Sequence, residues 1–473
     1  MAVSRRDLLK LPLVSPLAGL AQKKNLNVLM FSIDDLNVRI GCYGDPVVKT
    51  PNLDRLARHG VRFDHAYCNY PLCNPSRTAL LSGRRPENNG VYSNDTRPRA
   101  HVGNIAFLPE YFKANGYFTA RVGKVAHHEE DVKWDISEND TPNPPRSSML
   151  MERYGPKTLD TNKRLAANHL PMAGVGRIFW TPTNNPDDKE GDGITARRIA
   201  QIVNEHKDKP FFIGCGFRKP HLPLIAPVKY FDMYNLADIH LPKTPANDLD
   251  DIPPTALICT NSDDFVSDED RRRAILGYYA VTSFMDAQLG VVLDALDQNK
   301  LWDNTVVLLW ADHGWHLYDH LQLWGKQTCF EEASHTPLMV HAPGMKAGVA
   351  CPRMVEWVDI YPTLTELCGL PQAPGMDGAS FAPLLGNPGR AWKKAAYSIV
   401  WRGAENYGRT VRTERHRYTE WSAGKDGVEL YDHQTDPHEW TNLAGNSQAA
   451  ALRHEMQDLL RNGQKNNLPP KVG

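Results

Sequence analysis

The chain has 473 residues, 41% hydrophobic and 23% charged, with a formal net charge of −1 at pH 7. That length allows a large core and predicts two domains, and the composition excludes a disordered or fibrous protein. A balanced charge gives no global field to draw nucleic acid or a membrane surface, so an anionic ligand must be held by a local group of cations.

The first element is a targeting segment. Arg5-Arg6 is followed by an apolar run from Leu11 to Leu20 and a small-residue end, Ala18-Gly19-Leu20-Ala21. The run is too short, and too broken by Pro12 and Pro16, to span a membrane. Residues 1–21 therefore read as a twin-arginine export signal, which predicts a periplasmic or extracellular protein with no membrane span. Next comes the continuous apolar run Asn27–Ile33, a buried parallel strand, ending in Asp34-Asp35. Thr50-Pro51 opens a helix whose apolar positions are Leu53, Leu56 and Ala57, with Thr50 as N-cap and Gly60 as terminator. Residues 135–192 are rich in Pro, Asn and Asp and predict long loops. Val281, Phe284, Met285, Leu289, Val292, Leu293 and Leu296 recur at helical steps. Thr305–Trp310 is a second buried strand, which runs on into Asp312-His313. Beyond Gly386 the pattern turns to short strands, such as 417–421 and 428–431, and a helix over 448–460.

This order predicts an α/β domain over 22–385, with a mostly parallel sheet between helices, and a smaller antiparallel C-terminal α+β subdomain over 386–473. Ligands of such sheets bind beyond the carboxyl ends of the strands. Asp34-Asp35 and Asp312-His313 stand at two such ends and are the candidate metal ligands. Three carboxylates favour a hard cation, Ca²⁺ or Mg²⁺ with Mn²⁺ as a further option, while imidazole is the less usual ligand for such an ion. The eight cysteines lack the spacing of a zinc site or a disulfide framework, and their pairing is left open.

Cys73-Asn74-Pro75-Ser76-Arg77, running into Leu80-Leu81-Ser82-Gly83-Arg84, resembles the signature of the type I sulfatases. The resemblance implies an alkaline-phosphatase-like α/β fold. It also implies that Cys73 is oxidised to Cα-formylglycine by a formylglycine-generating or anaerobic sulfatase-maturing enzyme. The hydrated aldehyde would then be both nucleophile and metal ligand. Gly123-Lys124-Val125-Ala126-His127 resembles the family's Gly-Lys-x-x-His segment, which gives Lys124 to the nucleophile and a sulfate oxygen. His127 then contacts a hydroxyl of the nucleophile, with His128 as the adjacent competitor. Lys219-Pro220-His221 nominates His221 as a sulfate or leaving-group contact, and Lys326, fourteen residues after Asp312, as a sulfate clamp. Arg77 is implied to neutralise the nucleophile and Trp315 to border the substrate. Leu430-Tyr431-Asp432 and Asp436-Pro437-His438-Glu439 resemble the structural closing motif of the fold.

Sulfate transfer needs an in-line nucleophile, a divalent cation and fixed positive charge on the non-bridging oxygens, as phosphoryl transfer does. Attack on sulfur would release the alcohol and leave a covalent sulfo-enzyme, whose breakdown expels sulfate. Asp312-His313, the Lys124-to-His127 spacing and Lys219-Pro220-His221 resemble the iduronate-2-sulfatase branch. That narrows the expected substrate to a sulfated glycan carrying a 2-O-sulfated uronic acid. Such a sugar adds a carboxylate, for which Arg412, Arg415 and His416 are candidate contacts. The rival readings are a phosphoester or phosphonate hydrolase of the same superfamily and a non-catalytic binder of sulfated glycans.

Overall fold

The computed structural model describes residues 25–140, 178, 180–261, 263, 265, 267–403 and 405–470. The expected signal segment 1–21, and positions 141–177 and 179 of the expected loop stretch, lie outside the described residues.

Eight strands form the main sheet: β1 (Asn27–Ile33), β2 (Val61–Tyr67), β3 (Phe118–Gly123), β4 (Ile136–Glu138), β5 (Phe211–Phe217), β6 (Thr305–Ala311), β7 (Leu338–His341) and β8 (Val349–Glu356). Their order is β8-β2-β7-β6-β1-β5-β3-β4. Only β7 runs antiparallel, against β2 and β6; the remaining pairs are parallel. β1 is buried along its whole length because helices cover both faces of the sheet. Its alternate side chains serve two cores. Leu29, Phe31 and Ile33 meet α1 (Pro51–His59), α3 (Gly191–His206) and α4 (Asp268–Gln298). Val28 and Met30 belong to the opposite core, with α2 (Cys73–Ser82) and α5 (Ile360–Leu367).

One local expectation is corrected. Thr50 does not cap α1; its hydroxyl instead accepts from Gly41 N at 2.9 Å. The buried carboxyl group of Asp286 on α4, pushed up to about 7 by burial, takes the first amides of α1, Asn52 N at 3.1 Å and Leu53 N at 2.7 Å, which have no partner within the helix. Gly60 ends α1 as expected, in an extended conformation, and its requirement is space: a Cβ there would lie 2.4 Å from Val340 O. α4 is also longer than its apolar stretch, starting where Ser267 Oγ accepts from Asp270 N.

The C-terminal sheet is antiparallel, ordered β9 (Ala395–Trp401), β10 (Tyr407–Thr413), β11 (His416–Trp421), β12 (Val428–Asp432). Helix α6 (Ala450–Asp458) covers one face through Met456 against Tyr418 and Leu430. The other face sets Val400, Trp421 and Tyr431 against Phe330 of the larger unit. β9 also holds the segment that leads into Cys73, since Ile399 N donates to Asn69 O at 3.0 Å and Trp401 N to the Tyr70 hydroxyl at 2.9 Å. All eight cysteines are unpaired. Among the described residues no helix is long and apolar enough to cross a membrane.

Candidate active site

β1 and β6 are parallel neighbours with Ile33 opposite Ala311, so Asp34-Asp35 and Asp312-His313 leave the sheet side by side. Asp35 turns back with a positive φ of 66°. Its amide donates to Asp312 Oδ1 at 3.0 Å, and its carbonyl accepts from the Tyr278 hydroxyl at 2.7 Å. Those two bonds hold a backbone conformation that is costly outside glycine.

Cys73 is the first residue of α2, and Arg77 follows one turn later on the same helix face. The Arg77 guanidinium is buried and spans the carboxylates. Its Nε donates to Asp312 Oδ2 at 2.9 Å and one terminal nitrogen to Asp34 Oδ1 at 3.1 Å. The other terminal nitrogen donates to Ser32 Oγ and Lys124 O, both at 2.7 Å. Arg77 therefore neutralises the carboxylates beside Cys73 rather than meeting the thiol. Ser76 Oγ and Trp357 Nε1 both donate to Asp312 O, which fixes the turn after β6.

Two ammonium groups flank the thiol. Lys326 Nζ lies 3.1 Å from Cys73 Sγ and 2.7 Å from Asp35 Oδ1, and Lys124 Nζ lies 2.6 Å from Asp34 Oδ2. Lys124 reaches this position because β3 and β5 nearly touch after Gly123: Lys124 N donates to Gly216 O at 3.0 Å, and a Cβ on Gly216 would lie 2.3 Å from the Lys124 backbone. Burial alone would raise the Cys73 thiol, but Lys124 and Lys326 pull it well below the usual range. Burial likewise opposes ionisation of Asp34, which Lys124, His221, Arg77 and Lys326 together hold well below the usual carboxylate range. Asp312 is pushed up to about 7 by burial, against the pull of Arg77.

The donor set suits a cation. Asp34, Cys73, Asp312 and His313 each offer a ligand atom within 4.8 Å of the others. His313 Nδ1 lies 3.0 Å from Gly314 O, which can only accept, so Nδ1 carries a proton and Nε2 turns inward. That Nε2 stands 3.4 Å from Asp35 Oδ1 and 3.5 Å from Asp312 Oδ1. Burial opposes a charge on His313, but the Asp312 carboxylate raises its pKa, and a bound cation would displace the Nε2 proton. Asp35 Oδ2 is buried and accepts no hydrogen bond, which leaves it free as a further ligand.

The structure thus gathers Asp34, Asp35, Cys73, Arg77, Lys124, His221, Asp312, His313 and Lys326 around one point. His127 joins them, within hydrogen-bonding reach of Cys73, and burial lowers its pKa. His128 instead points its Nε2 at Asn94 O, 2.8 Å away. His221 Nε2 stands 3.9 Å from Asp35 Oδ2. Trp315 forms a wall, its ring 5.6 Å from Lys326 Nζ.

Arg412 is not brought to the site. It is buried with its Nε on Glu331 Oε2 at 3.1 Å and its guanidinium over the Tyr67 ring, since a buried charge needs a counter-charge. Arg415 bonds Asp432, and His416 also faces Asp432. Sequence reading missed Ser32, Tyr278 and Trp357. Ser32 is a polar residue in an apolar strand, a weak signal, while the other two carry none because their partners, Asp35 for Tyr278 and Asp312 for Trp357, lie 243 and 45 positions away.

The sequence profile described as Sulfatase matches residues 26–370, and that of the N-sulphoglucosamine sulphohydrolase C-terminal region matches 313–466. A sulfatase of Formosa agariphila is 33% identical over 92% of this chain and 86% of its own. The iduronate 2-sulfatase of Mus musculus is 30% identical over 91% of this chain and 93% of its own. The crystal structure of a phosphonate monoester hydrolase of Agrobacterium radiobacter superposes with a TM-score of 0.76 at 24% identity, over 94% of this chain and 96% of that one, and carries the alkaline-phosphatase-like fold. With the nucleophile segment, the cation-ready carboxylates and the paired lysines on this shared frame, the chain belongs to the sulfatase family, whose members hydrolyse sulfate esters.

Proposed function

We propose that this sulfatase acts on a sulfated glycan, preferring the 2-O-sulfate of a uronic acid, after Cys73 has been converted to formylglycine. The observation that carries the catalytic reading is Cys73 itself, buried at the start of α2 between Lys124 and Lys326 and beside four metal-capable side chains. Once hydrated, a formylglycine at position 73 supplies a hydroxyl nucleophile, and a divalent cation held by Asp34, Asp35, Asp312 and His313 supplies charge for it and for a sulfate oxygen.

The remaining work falls to side chains. Lys124 and Lys326 neutralise the sulfate oxygens, and as desolvated ammonium groups they act far more strongly than in water. Arg77 aims Asp34 and Asp312 and favours their ionised forms, against burial that pushes Asp312 up to about 7. His221 Nδ1 lies 2.6 Å from Leu222 O and so carries a proton there. Its Nε2 then faces the centre, and in the imidazolium form it carries a second proton that it can pass to the departing alcohol. His127, kept neutral by burial, is placed to take a proton from the nucleophile.

The preference for 2-O-sulfated uronate draws support from the likeness to iduronate 2-sulfatase over nine-tenths of the chain and from His313 following Asp312. Mass analysis of the peptide containing residue 73, then sulfate release from aryl sulfate against phosphate release from aryl phosphate, tests the reading. An intact thiol in fully active protein would sink it.

A further inference from the structure

We infer that Asp192 is a positioning residue for His221, a role that rests on the part given to His221 above. Asp192 lies in the first turn of α3 and is buried, yet its carboxylate does not cap its own helix. It reaches across to the end of β5, where Oδ1 accepts from Arg218 N at 2.8 Å and Oδ2 from Lys219 N at 2.9 Å. Two oxygens on two consecutive amides fix both the position and the direction of the chain leaving the strand. That chain closes at once into a turn, His221 N donating to Arg218 O at 2.9 Å.

Neighbouring contacts tighten the same turn. Arg218 Nε donates to the buried Asp140 carboxylate at 2.8 Å. Lys219 Nζ folds back onto the carbonyls of His221 and Pro223. Among the described residues the His221 side chain is hydrogen-bonded only through its ring nitrogen on Leu222 O, and it is 36% exposed. The aim of its Nε2 at Asp35, 3.9 Å away, is therefore set by the turn rather than by packing around the ring. Asp192 is the anchor of that turn, and it touches neither Cys73 nor a metal-capable residue in any bond described above.

Asp192→Asn tests this, because the amide keeps the size and one acceptor oxygen but presents a donor to the second N–H. Matured wild type, Asp192→Asn, His221→Ala and the double variant are compared on an alkyl sulfate and on an aryl sulfate with a good leaving group. Displacing a proton donor hurts a poor leaving group most. Asp192→Asn is expected to lower kcat on the alkyl sulfate roughly 10- to 100-fold, with a smaller loss on the aryl sulfate, and to add nothing in the His221→Ala background. Amide exchange should rise in the peptide spanning 217–223 and not in the one containing Cys73. If Asp192→Asn does not fold, Asp192→Ser, which keeps one acceptor, carries the same comparison. Additive losses, or a fully active Asp192→Asn beside a crippled His221→Ala, would overturn the inference and leave the role of His221 standing. A fully active His221→Ala would overturn that role and the inference with it.

Discussion

Arg77 Nε and Asp312 Oδ2 stand 2.9 Å apart with both side chains sealed from solvent. One turn of α2 thus connects the nucleophile position to the end of β6, and the same guanidinium reaches Asp34 at the end of β1. A planar fork with several donors can serve these acceptors together, and a single ammonium cannot.

Arg77→Lys should therefore destabilise the fold as well as the chemistry. Leaving buried carboxylates without their partner costs about 3–5 kcal/mol. Denaturant unfolding should show a loss of that size, and sulfate release should fall on the order of 10²-fold or more. A variant with wild-type stability would show that Lys124 and Lys326 suffice to hold the carboxylates.

Carboxylates crowded around Cys73 and His313 make the centre responsive to bound charge. Asp312→Ala is expected to lose its stoichiometric divalent metal, read by elemental analysis, and more than about 10²-fold of its activity. A chelator should lower the melting temperature of wild type and leave that of the variant unchanged. Wild-type protein that is active and free of metal would refute this.

Glu356, at the end of β8, binds Arg85 through both oxygens, at 2.5 and 2.8 Å, and accepts from Lys393 Nζ at 2.5 Å and Tyr397 N at 2.8 Å. It ties the main sheet to the C-terminal one. Burial opposes its ionisation, but Arg85 and Lys393 win and pull it to about 2, below its usual 4.5. A carboxylate depressed in the folded state stabilises fully above its unfolded pKa, and that stabilisation drains away as pH falls through the folded value. Glu356→Gln should cost about 3–5 kcal/mol at pH 7. The gap between wild type and variant should narrow between roughly pH 4.5 and pH 2. A gap that stays constant over that range would assign the loss to packing instead.

On substrate, sulfate release from 2-O-sulfated uronate oligosaccharides should exceed release from 6-O-sulfated hexosamines. Loops set the sugar pocket while strand ends set the chemistry. An equal or reversed preference would discard the uronate assignment and leave sulfate-ester hydrolysis untouched.

How much was readable in advance differs along the chain. β1 and β6 were visible because central parallel strands need uninterrupted apolar residues, and their acidic ends followed from the position of ligand sites in such sheets. The β7 reversal, the Asp286 cap on α1 and the burial of Arg412 were not visible. Each depends on a partner distant in sequence, and no local spacing encodes which of many carboxylates or strands that partner is.

By itself the sequence determined the α/β class, the antiparallel C-terminal strands and the sulfatase-like segment at Cys73, because periodicity and short motifs are local properties. Only the tertiary structure decided that Arg77 bridges Asp34 and Asp312, that His127 rather than His128 faces Cys73, and that Asp192 grips the turn bearing His221. Those choices rest on which buried polar groups can satisfy one another in three dimensions, since a charge or donor removed from water must find its partner wherever the fold brings one.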